Sequence, residues 1–542
     1  MQSRVRRKLT SMVLLAAFVI AGAMHWGRGA LDSGFGAADD EAAHMVSGVM
    51  AHDYIVDPEP LHPVRYAERY YVHYPKVAIG QWPPGYHALQ AAWTLAFGVS
   101  RESIVLLGAG LMALVAALLF RALVADLGTA PALAAAGLFL LLPLVQRYGS
   151  MSMTELPLAL FCFAAVLAFG RLFDLGRWRD GLIFAACSVA AIMTKANALS
   201  LALMPPILIF AERRWSMLRS RVLWICAGLV ALGAGPWTVR FMDVNRSTWD
   251  GGSSCSWVFS REAARFYAVE LVALGGAVVL AVALWGAWVQ LRRHDCSGKW
   301  KAAAAFCTGL LIFHILIPSS IETRHLILLT PYLCMFAAAG MLDLTRRIHR
   351  LAPNAGAISA GLLLGSFAAL GWDFPEKRVT GYDEAVAYVN GRTDLDGIAV
   401  LIDSGSIGEG LAVSEFVLAD EARPNRFVVR ATKYLSQSTW TGEDYRAFYE
   451  TPEQTAAALE NLPIGLVLFD HSLRPHQTMP HHETLHRMLQ TNAGWRLVKA
   501  FDVRRGELVF PAGLELWEHA ASSMRRPLYL DFALILGRDV PL

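Results

Sequence analysis

The sequence predicts a polytopic α-helical membrane protein, with about eleven transmembrane helices and a soluble α/β domain at its C-terminus. Three observations carry that fold class. The composition is 55% hydrophobic and only 17% charged, with a mean hydropathy of +0.39, far more apolar than a soluble globular chain. Apolar runs of spanning length recur up to residue 372, and basic residues collect in every second loop between them. Beyond Trp372 the apolar runs shorten to strand length and turn signals appear. The formal net charge of +3 gives no argument for a nucleic-acid partner; what matters is where the positive charges sit.

The N-terminus is basic (Arg4, Arg6, Arg7, Lys8) and leads into an apolar run from Leu9 to about Trp26, read as an uncleaved signal anchor rather than a cleavable signal peptide. Roughly ten further segments of spanning length follow, near 102–124, 130–147, 155–173, 180–195, 197–211, 221–240, 266–291, 301–318, 324–344 and 353–372. Moving Lys and Arg outward against the membrane potential is unfavourable, so basic loops stay cytoplasmic. Those loops hold Arg121; Arg171, Arg177 and Arg179; Arg213, Arg214, Arg219 and Arg221; Arg292, Arg293, Lys299 and Lys301; and Arg346, Arg347 and Arg350. The alternation predicts an inner (plasma) membrane protein with a cytoplasmic N-terminus and a periplasmic C-terminal domain.

The outer loops are then 28–101, 148–154, a short turn at Lys195, 241–265 and 318–324. In the first, a helical pattern runs over 41–51, and the stretch from Trp82-Pro83-Pro84 to Phe97 is apolar but too short to span, so it reads as an interfacial helix opened by Pro84 or Gly85. A boundary near Asp373 divides a membrane domain, 1–372, from the α/β domain, 373–542. In the latter Ile398–Asp403, Arg426–Ala431, Ile464–Phe469 and Arg496–Phe501 read as strands, alternating with helical patterns near 382–391, 407–419, 452–461 and 482–491. Thr451-Pro452-Glu453-Gln454 has the form of a capping box. Of seven cysteines, Cys162, Cys187, Cys226, Cys307 and Cys334 lie in apolar runs and Cys296 in a basic loop; only Cys255 falls in an outer loop, so no disulfide framework is expected.

Ionisable residues at membrane ends are costly unless they serve a pathway, a partner or a reaction. Outside the basic loops they gather on the outer side: Asp40 and Glu41, Glu155, Lys195, Arg240, Glu322, Arg324 and His325. Carboxylates from two loops facing cations from three others supply what is needed to deprotonate a hydroxyl and stabilise a departing phosphate. Snorkelling explains single cations at helix ends, and N-capping explains single carboxylates; Arg240 and Glu322 fit those bland roles best. Lys195 does not, because it interrupts a largely apolar run from Val189 to Leu203. Histidines 44, 52, 62, 73 and 87 enrich the first outer loop, but no pair has HxxxH or HxH spacing, so a metal is a minor alternative. The segments Tyr74-Pro75-Lys76 and Trp82-Pro83-Pro84-Gly85 are rigid enough to pack on the surface or to shape a pocket.

These motifs resemble, in order, those of the GT-C fold membrane glycosyltransferases of family 39, the protein O-mannosyltransferases and the aminoarabinose transferases that modify lipid A. Asp40-Glu41 is similar to the acidic motif of the first outer loop, Trp82-Pro83-Pro84-Gly85-Tyr86 to the double-proline motif, and Met153-Thr154-Glu155-Leu156-Pro157-Leu158 to the segment with a second carboxylate. Met193-Thr194-Lys195 resembles the Thr-Lys element near the carrier phosphate, Pro236-Trp237 a Pro-Trp pair ending a span, and Glu322-Thr323-Arg324-His325 with Pro331 the segment before a late helix. The resemblance covers about residues 1–345. It departs at His325, where tyrosine is usual, at Ala196, where glycine is common, and at Glu155, where the lipid A enzymes have Asp.

The resemblance implies transfer of a sugar from a polyprenyl-phosphate donor to an acceptor on the outer face, with inversion. Asp40 is then the general base, with Glu41 beside it in the catalytic motif. Glu41 and Glu155 orient acceptor or sugar, and Lys195 with Arg324 stabilise the lipid phosphate. His325, Trp82, Tyr74 and Lys76 line the substrate site. No cofactor is required, and the acceptor, whether protein, polysaccharide or lipid, is not named by the sequence. Two rivals make other predictions: a transporter or flippase of lipid-linked sugars needs matching halves with interrupted helices, and a non-catalytic scaffold needs no convergent charges.

Overall fold

In a computed structural model, the structure describes residues 2–56, 62–78, 80–241, 256–318, 320–348, 354–371, 376–395, 398–437, 445–462, 464–474 and 477–520. Cys255 and the expected boundary at Trp372 and Asp373 lie outside them. Every segment expected to span is helical. The helices are α1 Gln2–Gly27, α5 Arg101–Leu127, α6 Thr129–Leu141, α7 Pro143–Gly149, α8 Glu155–Leu175, α9 Trp178–Ile192, α10 Met204–Ala211, α11 Arg221–Arg240, α12 Trp257–Leu291, α13 Gly298–Leu316, α14 Thr330–Ile348 and α15 Ala355–Gly371. Three more, α2 Glu41–Val56, α3 Pro63–His73 and α4 Gly85–Phe97, lie in the long loop between α1 and α5, the first of the expected outer loops.

Seven of the described helices are long and apolar enough to cross a membrane, or eight if α6 and α7 form one bent span. Pro143 explains the 61° bend between those two, since it bars the helical conformation at the residue before it. Segment 197–211 is a 3-10 turn, Ala196–Leu203, followed by the short α10. Helix α12 begins nine residues before the expected 266 and carries non-helical backbone at Gly276 (φ 81°).

Helix α8 fixes the polarity of the bundle. With 21 residues it is about 31 Å long, and Glu155 stands at one end and Asp174 near the other. Around Asp174 the basic loops come together: Lys299 pairs with Asp126 at 2.9 Å and Arg171 with Asp180 at 2.8 Å. Arg121, Arg177, Arg179 and Lys299 line one cavity there. Around Glu155 lie instead the outer-loop helices.

The C-terminal part is a six-stranded sheet in the order β1-β7-β8-β6-β2-β3. Its strands are β1 Val379–Thr380, β2 Ala399–Asp403, β3 Val428–Arg430, β6 Ile464–Asp470, β7 Trp495–Arg505 and β8 Leu508–His519; β4 Ser436–Gln437 and β5 Arg446–Ala447 form a separate ribbon. β2 runs parallel to β3 and β6, and β8 antiparallel to β6 and β7. Helices α16 Tyr382–Asn390, α17 Ser406–Ala419, α18 Pro452–Asn461 and α19 Pro480–Thr491 accompany it. Thr451 caps α18 as expected, its hydroxyl accepting from the Gln454 N–H, although the Gln454 side chain returns to the N–H of Glu450 rather than of Thr451.

Beside the two-residue strands β1, β4 and β5, sequence reading missed β8, the longest strand. Pro511 sits inside it, and a proline in an apolar run argues against a strand. The chain absorbs it as an irregularity: Val503 pairs with Phe510 and Phe501 with Leu514, so the proline falls where the two strands are out of step.

The outer-loop helices and the sheet share a core. Phe35, Met45, Val49, Tyr66 and Tyr70 belong to one buried cluster with Val400, Leu411, Phe416, Leu466 and Phe501. Polar ties cross the same boundary: Arg423 to Asp53 at 3.0 Å, Arg101 to Glu415 at 2.5 Å, and the Tyr74 hydroxyl to Asp420.

Candidate active site

At the Glu155 end of the bundle, charged residues far apart in sequence form a continuous network. Asp40 precedes α2, Glu155 opens α8, Lys195 sits in the extended break after α9, and Arg324 lies in a 3-10 turn, Thr323–Leu329, leading into α14. Arg324 Nη1 donates to Asp40 Oδ2 at 2.7 Å, and its Nε lies 2.6 Å from Glu322 and 4.0 Å from Glu155. Lys195 Nζ donates to Glu155 Oε1 at 2.7 Å. Helix breaks put these groups here: an unbroken helix through 195 or 324 would have turned them into the wall.

Backbone packing holds the break at Lys195 in place. The Gly85 N–H donates to the Met193 carbonyl at 2.7 Å, so the double-proline motif and the Thr-Lys motif touch through main chain. A Cβ on residue 85 would stand 2.5 Å from that carbonyl oxygen, which only glycine avoids.

Trp82 closes one side, its ring 4.4 Å from that of His44. His44 in turn meets His87 at 3.2 Å between ring nitrogens. Burial holds both imidazoles down to a pKa of about 3, with the nearby cations Lys195 and Arg324 lowering His44 further, so both rings are neutral. Among the described residues of the first outer loop, no three metal-ligating groups converge.

Lys76 is buried in contact distance of α17: a Cβ at Gly410 would lie 2.7 Å from its Cε. Desolvation, then the Arg430 charge, bring its ammonium down to about 7, while Glu409, Asp39 and Asp40 act to raise it. Burial pushes the Asp39 carboxyl up, against the pull of Lys76. The C-terminal domain thus forms one wall behind Lys76.

Three expected site residues sit elsewhere. Glu41, which shares the acidic motif with Asp40, turns away and accepts from Lys377 Nζ at 2.5 Å and from the N–H groups of Ala37 (2.8 Å) and Ser152 (3.3 Å). A residue one position along a helix points about 100° away, so adjacent carboxylates do not share a site. Tyr74 is committed to Asp420 and ties down the C-terminal domain. His325 is held by the Tyr267 hydroxyl at 2.8 Å and stacks on His314, so α12 and α13 engage it rather than the carboxylates. Arg240, by contrast, is exposed over the Phe241 ring, in keeping with its bland reading. Sequence reading missed Lys377, Asp39, Tyr267 and the His44–His87 pair. Lys377 gave little signal, being one of an ordinary Glu376-Lys377-Arg378 charge cluster just past the last apolar segment.

An apolar groove of about 480 Å³ runs between α9, the 3-10 turn after Lys195, α10 and α11, lined by Phe184, Ile192, Leu199, Pro205, Trp224 and Val230. Ile192 and Ala198 of its wall flank Lys195 by three residues on either side.

The family model of dolichyl-phosphate-mannose-protein mannosyltransferases matches residues 81–238. That stretch contains Trp82, Gly85, Glu155, Lys195 and Trp237, while Asp40 and Arg324 lie outside it. The structure is similar to that of ArnT from Cupriavidus metallidurans bound to undecaprenyl phosphate, at 12% identity and a TM-score of 0.60, over 95% of this chain and 98% of that one. The same protein in the apo state gives a TM-score of 0.58 over 96% and 99%. The apo oligosaccharyltransferase of Archaeoglobus fulgidus gives 0.53 at 10% identity, over 92% of this chain and 75% of that one. No curated protein sequence matches the chain. At such identities the likeness establishes the fold alone: the chain has the GT-C fold of those structures, with a C-terminal domain built on a sheet.

Proposed function

We propose that this GT-C chain is a membrane glycosyltransferase that takes a sugar from a polyprenyl-phosphate donor and passes it to an acceptor hydroxyl on the outer face of an inner membrane. The observation that carries the reading is the convergence of Lys195 and Arg324 on Glu155 and Asp40, with an apolar groove whose wall flanks Lys195 in sequence. ArnT, the structural relative holding undecaprenyl phosphate, makes a lipid phosphate the natural ligand of such cations.

The lipid phosphate docks on Lys195 and Arg324, with its tail in the groove. Before it arrives, Arg324 holds Asp40, and a carboxylate in an ion pair is a poor base. Phosphate oxygens take over the guanidinium donors and free Asp40 to accept the proton of the acceptor hydroxyl. That oxygen attacks the anomeric carbon as the bond from carbon to phosphate oxygen breaks, its electron pair leaving on the lipid phosphate. The new negative charge falls next to Lys195 and Arg324, where fixed cations stabilise it most. A single displacement inverts the anomeric centre. Lys76 and Trp82 border the sugar, Glu155 spaces the two cations, and Glu41 braces the turn that presents Asp40.

The test is turnover of a labelled polyprenyl-phosphate sugar by purified protein. Asp40→Asn is expected to lose about 10²–10⁴-fold in rate while still binding the donor, and normal turnover removes Asp40 from the base role. Mass spectrometry of envelope glycoconjugates with and without the gene identifies sugar and acceptor together.

A further inference from the structure

A second constellation lies far from the membrane network, at the sheet. His471 follows β6, Glu515 lies on β8 and His486 on α19. Their ligand atoms all fall within 4.8 Å of one another, the one such group of three among the described residues. We propose that His471, His486 and Glu515 form a binding site for a divalent transition metal of the zinc class.

The donor set argues for that class. Two imidazoles and one carboxylate suit zinc, whereas calcium and magnesium prefer oxygen alone. His471 Nε2 already lies 3.0 Å from Glu515 Oε2, close to the separation of roughly 3.4 Å that two ligands of a tetrahedral zinc adopt. The rings converge from different directions, His471 and His486 standing at 77° with centroids 4.7 Å apart. His471 and Glu515 already meet, and His486 brings a second imidazole edge to face against the first, so three donors of the right kind converge on one point.

The surroundings hold the ligands still. The His486 ring is stacked on Phe469 at 18°, and Gln490 reaches one of its nitrogens at 3.0 Å. Phe469 also stacks on His482, whose Nδ1 lies 2.9 Å from the buried Asp403. Asp403 and Asp470 end the parallel strands β2 and β6, the edge at which open α/β sheets gather ligands. A metal here would bolt α19 to β6 and β8, and through His482 steady Asp403. Three protein ligands leave one position for water or a further donor.

The full-length chain in detergent, stripped with a chelator, is titrated with Zn(II), and bound metal is counted by mass spectrometry of the elements. One tightly held ion per chain is expected. His471→Ala/His486→Ala should lose it, with affinity falling at least about tenfold, while Asp40→Asn and His519→Ala retain it. A stripped wild-type chain that takes up no zinc overturns the proposal, as does a double variant that binds as well as wild type. Should the double variant fail to fold, Co(II) loading of the wild type decides: visible absorption bands of low-symmetry cobalt with imidazole ligation support the site, and the spectrum of hydrated cobalt alone refutes it.

Discussion

Replacing Lys377 by Met tests whether Glu41 belongs to the reaction or to the scaffold. The Glu41 side chain has no exposed surface and that of Lys377 only 7%. Lys377 Nζ donates to Glu41 at 2.5 Å and to the Ser150 carbonyl at 2.7 Å. With the ammonium gone, the carboxylate keeps only the N–H groups of Ala37 and Ser152 and cannot reach water. Breaking one side of a buried pair typically costs about 3–5 kcal/mol, because a lone charge is left in a low dielectric. The expected loss falls in that range, read by chemical unfolding in micelles followed by tryptophan fluorescence. Glu41→Gln/Lys377→Met removes both charges and should recover at least half of it, and turnover with it. A Lys377→Met chain within about 0.5 kcal/mol of wild type refutes the brace. A double variant that folds well but stays inactive puts Glu41 back in the chemistry.

Lys195→Met should raise the donor KM more than it lowers kcat, and the further change Glu155→Gln should restore stability without restoring donor affinity; steady-state kinetics on both variants decide. Gly85→Ala drives a methyl group to 2.5 Å from the Met193 carbonyl, an overpacking cost of about 1–3 kcal/mol, and activity should fall through displaced Lys195, visible as a raised donor KM. Lys76 titrates at about 7 in the fold, below its ordinary value of 10.5. The unfolded chain therefore binds more protons across that window, so this group's contribution makes stability rise with pH from about 7 upward and disfavours the fold below it. Donor binding has the opposite slope: KM should climb as pH passes 7 and the amine loses its charge, and Lys76→Arg should flatten the profile.

The helices of the membrane part were legible because apolar runs leave few alternatives, and Lys195 stood out because a cation in an apolar segment is costly unless something needs it there. Asp40, Glu155, Lys195 and Arg324 were each found from local placement, yet their mutual distances depend on breaks at Leu142, Lys195 and Arg324 that sequence marks only faintly. Glu41 and Tyr74 have partners that the sequence did not point to, Lys377 and Asp420, because no local pattern tells a residue which distant surface will cover it. Lys377 shows the converse, a cation in an unremarkable charged stretch whose importance appears only once its partner is known. β8 was hidden by Pro511, which a central strand excludes by rule and this one tolerates at an irregularity.

The common core of the outer-loop helices and the sheet bears on how the molecule is made. Residues 35–74 emerge early in synthesis, yet Phe35, Val49 and Tyr70 find their apolar neighbours only when Val400, Leu411 and Phe501 have been produced and delivered to the same face. Until then the segment carrying Asp40 has only its membrane-side neighbours, such as Gln90 of α4, whose amide donates to the Met45 carbonyl at 3.1 Å. A chain cut short before the sheet is built would leave the apolar faces of Phe35, Val49 and Tyr70 uncovered on that side.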